Sequence, residues 1–545
     1  MKSEAKVYDR LGNHVGYTVE NFVYDTKTIV KNIDLIDNLK LSKKGSIKVI
    51  GSKLPKITLA MANKQYARRF EKENSIIERK SVLEEMDTWK KKLSMLSLVV
   101  TGPPAVGKTT LVRMFAYKNY DRVYMVDLRA HDIRTKFNEY VLKNDNKAIG
   151  LADFCDKCLN TVYENNKHSV LILDNVNYDD NTLRELSTLQ RYLGCNIIAV
   201  NSKAAFDFCK VNTTSSEYSY SIWVEPMTFM EFCKVIGRTR LVNKLSTCNI
   251  EDITSDNEKS INELLDIYKK IGGFPSVVRG YIRTQDIKYC EVILNNILNN
   301  IMASATSHIK DRDLAHDVSD SICRNLTNSL VLAGSPSGDA YSKIVKAVVS
   351  NIKLNNDIEE KDVETALCWL VNNKIVRMLS LLQGNSYQET IKNRRAIVTD
   401  NGLAYAMSNK YQFKEHRRES ILNEHFVVNE FMRLYMRTRD IFRHRVQFVN
   451  DNTFGTYYLL PYRDGRLEAV KINENCVTGS DSKLTKTFSL DETIIKIRGK
   501  FNKDDIITIP VWALALRFPL NTFKKTDNNE NNGSNADNGK SEPDV

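Results

Sequence analysis

From Leu96 onward the apolar positions fall into short continuous runs separated by stretches of helical period. The runs "LSLVVTG" (96–102), "RVYMVDL" (122–128), "SVLILD" (169–174) and "CNIIAVN" (195–201) carry apolar residues at both odd and even positions. Strands of that kind are covered on both faces, as parallel sheets usually are. Between them, "KTTLVRMFAYK" (108–118) and "NTLRELSTLQRYLG" (181–194) repeat apolar positions every three to four residues, as one face of a helix does. Alternating strands and helices predict an α/β core, a parallel sheet between helical layers, over residues 96–227.

The pattern shifts on either side of that core. Residues 228–330 read as helix throughout, a helical lid with connecting helices. Over 331–412, "DAYSKIVKAVVSNI" and "EKDVETALCWLVNN" are helical, and "KIVRMLSLL" with "RRAIVTD" read as a hairpin; helices closing on a two-stranded wing describe a winged-helix unit. Residues 413–523 are mixed α+β. Upstream, 1–61 alternate short apolar runs with turn signals and predict a small β-rich or mixed module. Residues 62–95 read as a charged helical linker. The Asn-rich tail, 524–545, lacks the apolar residues of a packed segment and is expected to be disordered.

Composition adds bounds. A length of 545 residues suggests three or four domains. No run of about 18 apolar residues predicts a membrane span, and the polar N-terminus lacks a signal-peptide core, so a cytoplasmic, membrane-free protein is expected. Ten cysteines include one C-x-x-C pair, Cys155 and Cys158, on an amphipathic helix, which reads as buried reduced thiols. The net charge is +12, and residues 1–95 hold 20 Lys/Arg against 12 Asp/Glu. That excess is either a solvated surface or a non-specific contact with an acidic partner such as nucleic acid.

One loop carries chemistry. "TGPPAVGKTT" (101–110) fits G-x-x-x-x-G-K-[ST] between a buried strand and a helix. Glycines let backbone N–H groups face a phosphate, and the helix N-terminus adds partial positive charge. Gly102, Pro103, Pro104, Ala105, Val106, Gly107, Lys108, Thr109 and Thr110 are therefore candidate ATP ligands. Lys108 would reach the β- and γ-phosphates, and Thr109 would share Mg²⁺ with Asp174, which ends a later strand. Asn201 and Ser202 follow the next strand, where a polar residue orients water at the γ-phosphate or serves as a cap or turn. Arg184 and Arg191 are candidates for an arginine acting on a neighbouring phosphate. Asn175 stands beside Asp174, where a proton-accepting carboxylate is useful. An amide cannot accept a proton, so slow turnover and a long-lived ATP state are expected, with Asp179 and Asp180 one turn onward as substitutes.

Over roughly residues 75–475 the chain resembles the AAA-type ATPases of bacteria and archaea that carry a C-terminal nuclease-like domain of unknown function, relatives of the signal-transduction ATPases. "TGPPAVGKTTLVR" resembles the family phosphate loop, and "LILDNVN" the segment usually written Leu-Asp-Glu. "VEPMTFMEFCKV" resembles the motif that follows the last sheet strand, and "KKIGGFPSVVRGY" the G-G-x-P lid motif. The resemblance implies that Gly272, Gly273 and Pro275 pack by the nucleotide base and that Arg279 senses the γ-phosphate. "AIVTDNGLAYAM" and "SILNEHFVVNEFMRLY" resemble later segments, the second with Glu424 and Glu430 at the family's acidic positions. "RLEAVKIN" resembles the last strand of PD-(D/E)xK nucleases.

The chain also departs from that family. Such a nuclease needs Asp on one strand and Glu-x-Lys on the next, holding a metal and its water. Here Tyr458 stands near the Asp position, and Glu468 is one residue too early for Lys471. A one-residue slip in a strand turns a side chain to the other face, so nuclease activity is not expected. Two readings follow. One is an ATP-binding, slowly hydrolysing AAA-type switch acting on an unidentified protein partner. The other is a nucleic-acid-binding or interaction scaffold in which nucleotide is structural. The acidic start of "IEEKDVETALCWLVNN" repels phosphate and favours a protein contact for the winged helix.

Overall fold

The computed structural model describes residues 4–8, 14–19, 39–41, 47–49, 76–159, 163, 168–178, 180–204, 219–247, 253–327, 340–352, 358–382, 389–411, 413–436, 447–451, 455–461, 467–472, 495–497 and 508–516. The expected disordered tail and Asp179 lie outside these residues. Before Ile76 the described chain consists of two antiparallel pairs, β1 (Glu4–Tyr8) with β2 (His14–Val19) and β3 (Leu39–Leu41) with β4 (Ile47–Val49).

A five-stranded sheet holds the centre. Its strands are β5 (Ser97–Thr101), β6 (Arg122–Asp127), β7 (Ser169–Tyr178), β8 (Asn196–Ala204) and β9 (Ser219–Trp223). They are all parallel and lie in the order β6-β7-β8-β5-β9. The apolar runs explain the layering. Leu98, Val100, Val170, Ile172, Ile198 and Val200 enter one core, whereas Val99, Leu171, Leu173, Ile197 and Ala199 enter another. Alternate residues of a strand point to opposite faces, so both parities had to be apolar. From β5 the chain crosses to the far edge at β6, whereas β8 leads to β9 on the other side. The carboxyl ends of the strands at such a divergence form a crevice suited to ligands.

The stretch expected to be a linker is packed in part. The helix Lys80–Lys92 buries Val82, Leu83, Met86 and Trp89, and the Trp89 indole donates to the carbonyl of Leu96 at 2.9 Å. Three- and four-residue apolar spacing in a charged segment marks one buried face, and here that face joins the main core. Cys155 is buried on the helix Lys147–Leu159 and Cys158 is half-buried.

Helices Phe229–Val235, Thr239–Thr247, Ser255–Ile271, Pro275–Thr284, Ile287–Ala305 and Arg312–Thr327 form the helical region. Helices Ala340–Ile352 and Glu360–Asn372 then lead to the antiparallel hairpin of β10 (Val376–Leu382) and β11 (Glu389–Val398). The boundary expected at 412/413 does not divide the sheet that follows. Ser380 and Leu381 of β10 pair in parallel with Gln447 and Phe448 of β12 (Gln447–Asp451). The hairpin is thereby one end of a seven-stranded sheet continuing through β13 (Gly455–Pro461), β14 (Leu467–Ile472), β15 (Ile495–Ile497) and β16 (Thr508–Ile509). Tyr458 pairs with Val470, Glu468 with Leu460 and Lys471 with Tyr457, so neither Glu468 nor Lys471 lies opposite Tyr458. No helix among the described residues is long and apolar enough to cross a membrane.

Buried polar groups join the two halves. Arg433, on the helix Glu415–Met436, donates to Glu430 at 2.9 Å, the Tyr268 hydroxyl at 2.7 Å, and the carbonyls of Met227 at 3.2 Å and Thr399 at 3.0 Å. Glu430 accepts from the Phe229 backbone at 3.3 Å. Asp400 accepts from the backbone N–H groups of Gly273 at 2.7 Å and Leu403 at 3.1 Å. Arg377 of the hairpin is paired with Glu225 at 2.6 Å.

Candidate functional site

The phosphate loop links the carboxyl end of β5 to the helix Lys108–Asn119. Gly102 takes φ +142°, and a Cβ there would sit 2.0 Å from the Val224 carbonyl, so only glycine fits. Ala105 adopts φ +64°, a left-handed conformation uncommon for a residue with a Cβ. Pro103 and Val106 are buried, Pro104 and Thr110 half-buried, and Ala105 is exposed.

Lys108 is 6% exposed, and its ammonium donates to the carbonyls of Gly102 at 2.8 Å and Pro103 at 2.7 Å. Burial lowers its pKa to about 8, against the attraction of Asp174, which raises it. The Thr109 hydroxyl donates to Asp174 Oδ1 at 3.1 Å. The structure thus brings together two residues 65 positions apart whose oxygens suit Mg²⁺. That ion takes one or two carboxylate ligands and otherwise keeps water and phosphate oxygens. Burial raises the pKa of Asp174; the Thr109 hydrogen bond opposes that, and the charge of Asp127 adds to it.

Asn175 lies in an irregularity of the sheet. Asp174 pairs with Val200 and Val176 with Asn201, so Asn175 is an extra residue in β7, a bulge. Its φ is +63°. Asparagine tolerates the left-handed region better than a longer side chain does, which gives a conformational reason for an amide at this position. Its backbone N–H donates to Asp174 Oδ1 at 3.0 Å, and its side-chain amide donates to Asp127 Oδ1 at 2.9 Å.

Asp127 is the residue that sequence reasoning missed. It ends β6 directly beside Asp174, and Arg129 grips it with Nε at 3.1 Å from both oxygens and Nη2 at 2.6 Å from Oδ2. Burial alone would raise its pKa; the Arg129 hydrogen bonds outweigh that and hold it below the ordinary carboxylate value. The signal was present in "VYMVDLR", which ends an apolar strand in Asp as "VLILDN" does.

The remaining candidates divide. Asn201 is buried within β8, which runs on to Ala204, and is paired with Val176 just past the bulge. Pro275 is the G-G-x-P residue that reaches the loop, its Cγ 3.7 Å from where a Gly107 Cβ would lie. Gly273 instead serves the fold: its carbonyl accepts from Met227 at 2.8 Å, its N–H is held by Asp400, and a Cβ would meet the Met227 carbonyl at 2.2 Å. Arg279 is half-buried one turn beyond Pro275. Glu430 is tied to Arg433 and Phe229, and Glu424 is buried on the same helix.

Residues 95–233 match a family profile described as an AAA domain, and residues 262–414 match one described as a domain of unknown function (DUF8612). The chain thus carries an AAA-type P-loop domain. No curated protein matches it by sequence. Among solved structures, it is similar to the Aeropyrum pernix ORC1 protein in complex with DNA, with 10% identity, 62% of this chain and 93% of that one covered, and a TM-score of 0.29. The Thermotoga maritima RuvB Holliday junction branch migration motor shows 12% identity over 62% and 96% of the two chains, with a TM-score of 0.26. The structure of Drosophila ORC bound to DNA shows 14% identity over 61% and 96%, with a TM-score of 0.23. At such TM-scores these likenesses carry no inference about partners.

Proposed function

We propose that this protein is an ATP-binding, slowly hydrolysing molecular switch that acts on a protein partner. The observation that carries the reading is the placement of Lys108, Thr109 and Asp174 around one loop, with Thr109 and Asp174 3.1 Å apart. In this reading the loop backbone and Lys108 hold the β- and γ-phosphates, while Thr109 and Asp174 hold Mg²⁺. The ion, when bound, would neutralise charge between those phosphates. Asn201 orients water at the γ-phosphate, and Arg279 and Pro275 report nucleotide to the helical lid. Turnover is slow because Asn175 cannot accept a proton.

Gly273 of the lid motif is bonded to Asp400, and Phe229 at the start of the helix Phe229–Val235 to Glu430, so a shift at Pro275 would be passed to the C-terminal half. A protein partner is favoured because Glu359, Glu360 and Glu364 are exposed at the start of the helix that precedes the hairpin. The same half is proposed to have no nuclease activity. The test uses the full chain with Mg²⁺. ATP should bind, and limited proteolysis should give different patterns with ATP and ADP. Absence of binding, or identical patterns for both nucleotides, would sink the switch reading.

A further inference from the structure

We infer that Asp127 is the carboxylate that activates the attacking water, supplied from the strand beside β7 in place of the acid that Asn175 lacks. The inference deepens the ATPase reading above and rests on it. Three observations carry it. Asp127, the last residue of β6, stands in direct register with Asp174 of the parallel strand β7, so both lie at the level where β5 passes into the phosphate loop. The Asn175 amide donates to Asp127 Oδ1 at 2.9 Å, so amide and acid form one unit at the position where the missing carboxylate would act. Asp127 is also partly exposed, with its side chain 40% accessible, so water reaches it.

The two residues divide one task. The bulge demands a left-handed residue, which asparagine tolerates, and the acid is supplied by a strand end under no such constraint. In the step itself, the water oxygen forms a bond to the γ-phosphorus and gives a proton to Asp127. The bond from the γ-phosphorus to the bridging oxygen breaks, and ADP leaves with that electron pair on its terminal oxygen. Asp127 then returns the proton to phosphate or solvent. Arg129 grips both oxygens of Asp127 and competes with the water for them, so the acid is available only when that grip loosens. Turnover is then slow because Asn175 cannot accept the proton itself and its substitute, Asp127, is held by Arg129.

The test compares full-length wild type, Asp127→Asn and Arg129→Ala with Mg²⁺ and ATP. Affinity is read by titration, single-turnover rate by quenched flow, and retained nucleotide by chromatography. Asp127→Asn is expected to bind ATP as wild type does, to hydrolyse it about 10²–10⁴-fold more slowly, and to keep ATP where wild type holds ADP. Arg129→Ala is expected to hydrolyse at least as fast as wild type. The inference is overturned if Asp127→Asn hydrolyses at the wild-type rate. It is also overturned if that variant loses Mg²⁺-dependent affinity, which would make Asp127 a binding group, or if Arg129→Ala loses as much rate as Asp127→Asn, which would make the pair structural. Wild type that binds ATP but never turns it over would overturn it as well. Failure of wild type to bind ATP would instead sink the ATPase reading itself.

Discussion

At the phosphate loop, Lys108 is buried with its ammonium on two carbonyl oxygens. At the junction between the halves, Arg433 is equally buried, with its guanidinium on a carboxylate, a phenol and two carbonyls. The electrostatics diverge accordingly. Burial drives Lys108 down to about 8. Arg433 is also opposed by burial, yet Tyr268, Glu430, Glu225 and Asp400 together push it upward. Near the loop two carboxylates, Asp174 and Asp127, stand side by side and repel. At the junction the charges alternate in sign. A buried cation paired with a buried carboxylate fixes a fold, whereas one held only by carbonyl dipoles, beside two acids that repel, suits an anion and a cation from outside.

The largest effect is expected of Arg433→Ala. It strands Glu430 in the interior, and breaking a buried pair on one side costs about 3–5 kcal/mol. Urea unfolding should show that loss. Arg433→Lys should not restore it, because an ammonium lacks the planar fork that reaches Glu430 and Thr399 together. Stability equal to wild type would mean that the junction does not hold the halves together.

Lys108→Ala should do the converse. A hydrogen bond to a charged group contributes about 1.5–3 kcal/mol, so losing contact with two phosphates should weaken ATP by roughly 10²-fold or more. The fold should be little affected, since the lysine is poorly compensated. Unchanged ATP affinity by calorimetry would refute the phosphate role.

A subtler test uses pH. Between about 8 and 10.5 the folded protein loses the Lys108 proton while the unfolded chain keeps it. The unfolded state then binds more protons, so this group makes stability rise with pH across that window. ATP needs the charged form, so affinity should fall across the same window. The difference between wild type and Lys108→Met isolates both trends. Two trends of the same sign would contradict the assignment.

The parts of this legible in the sequence were those set by local pattern. The runs ending at Thr101, Asp127, Asp174 and Asn201 gave the strands, and Gly102, Gly107 and Lys108 gave the loop between strand and helix. The side chains of Val82 and Trp89 were visible, but their burial depends on a partner face that the charged segment does not announce. The conformation of Asn175 could not be read, because an extra residue in a strand leaves no mark on apolar alternation. Nor could the role of Asp400, whose partner Gly273 lies 127 residues earlier. Pairings of that range depend on topology rather than on period. Asp127 was legible too, since "VYMVDLR" ends an apolar run in Asp as "VLILDN" does.

The bond from Phe229 to Glu430 spans 201 residues, and that span has a consequence for the chain as it is made. At about 5–20 residues per second, the ribosome needs roughly 10–40 s after Phe229 to deliver Glu430 and Arg433. Throughout that interval the Phe229 amide has been made without the carboxylate that later accepts from it, and the Met227 carbonyl, even once the Tyr268 hydroxyl donates to it, lacks its second donor, Arg433. The nascent AAA module therefore waits with an apolar, polar-studded face uncovered, and completion of its native packing is timed by synthesis of a helix far downstream.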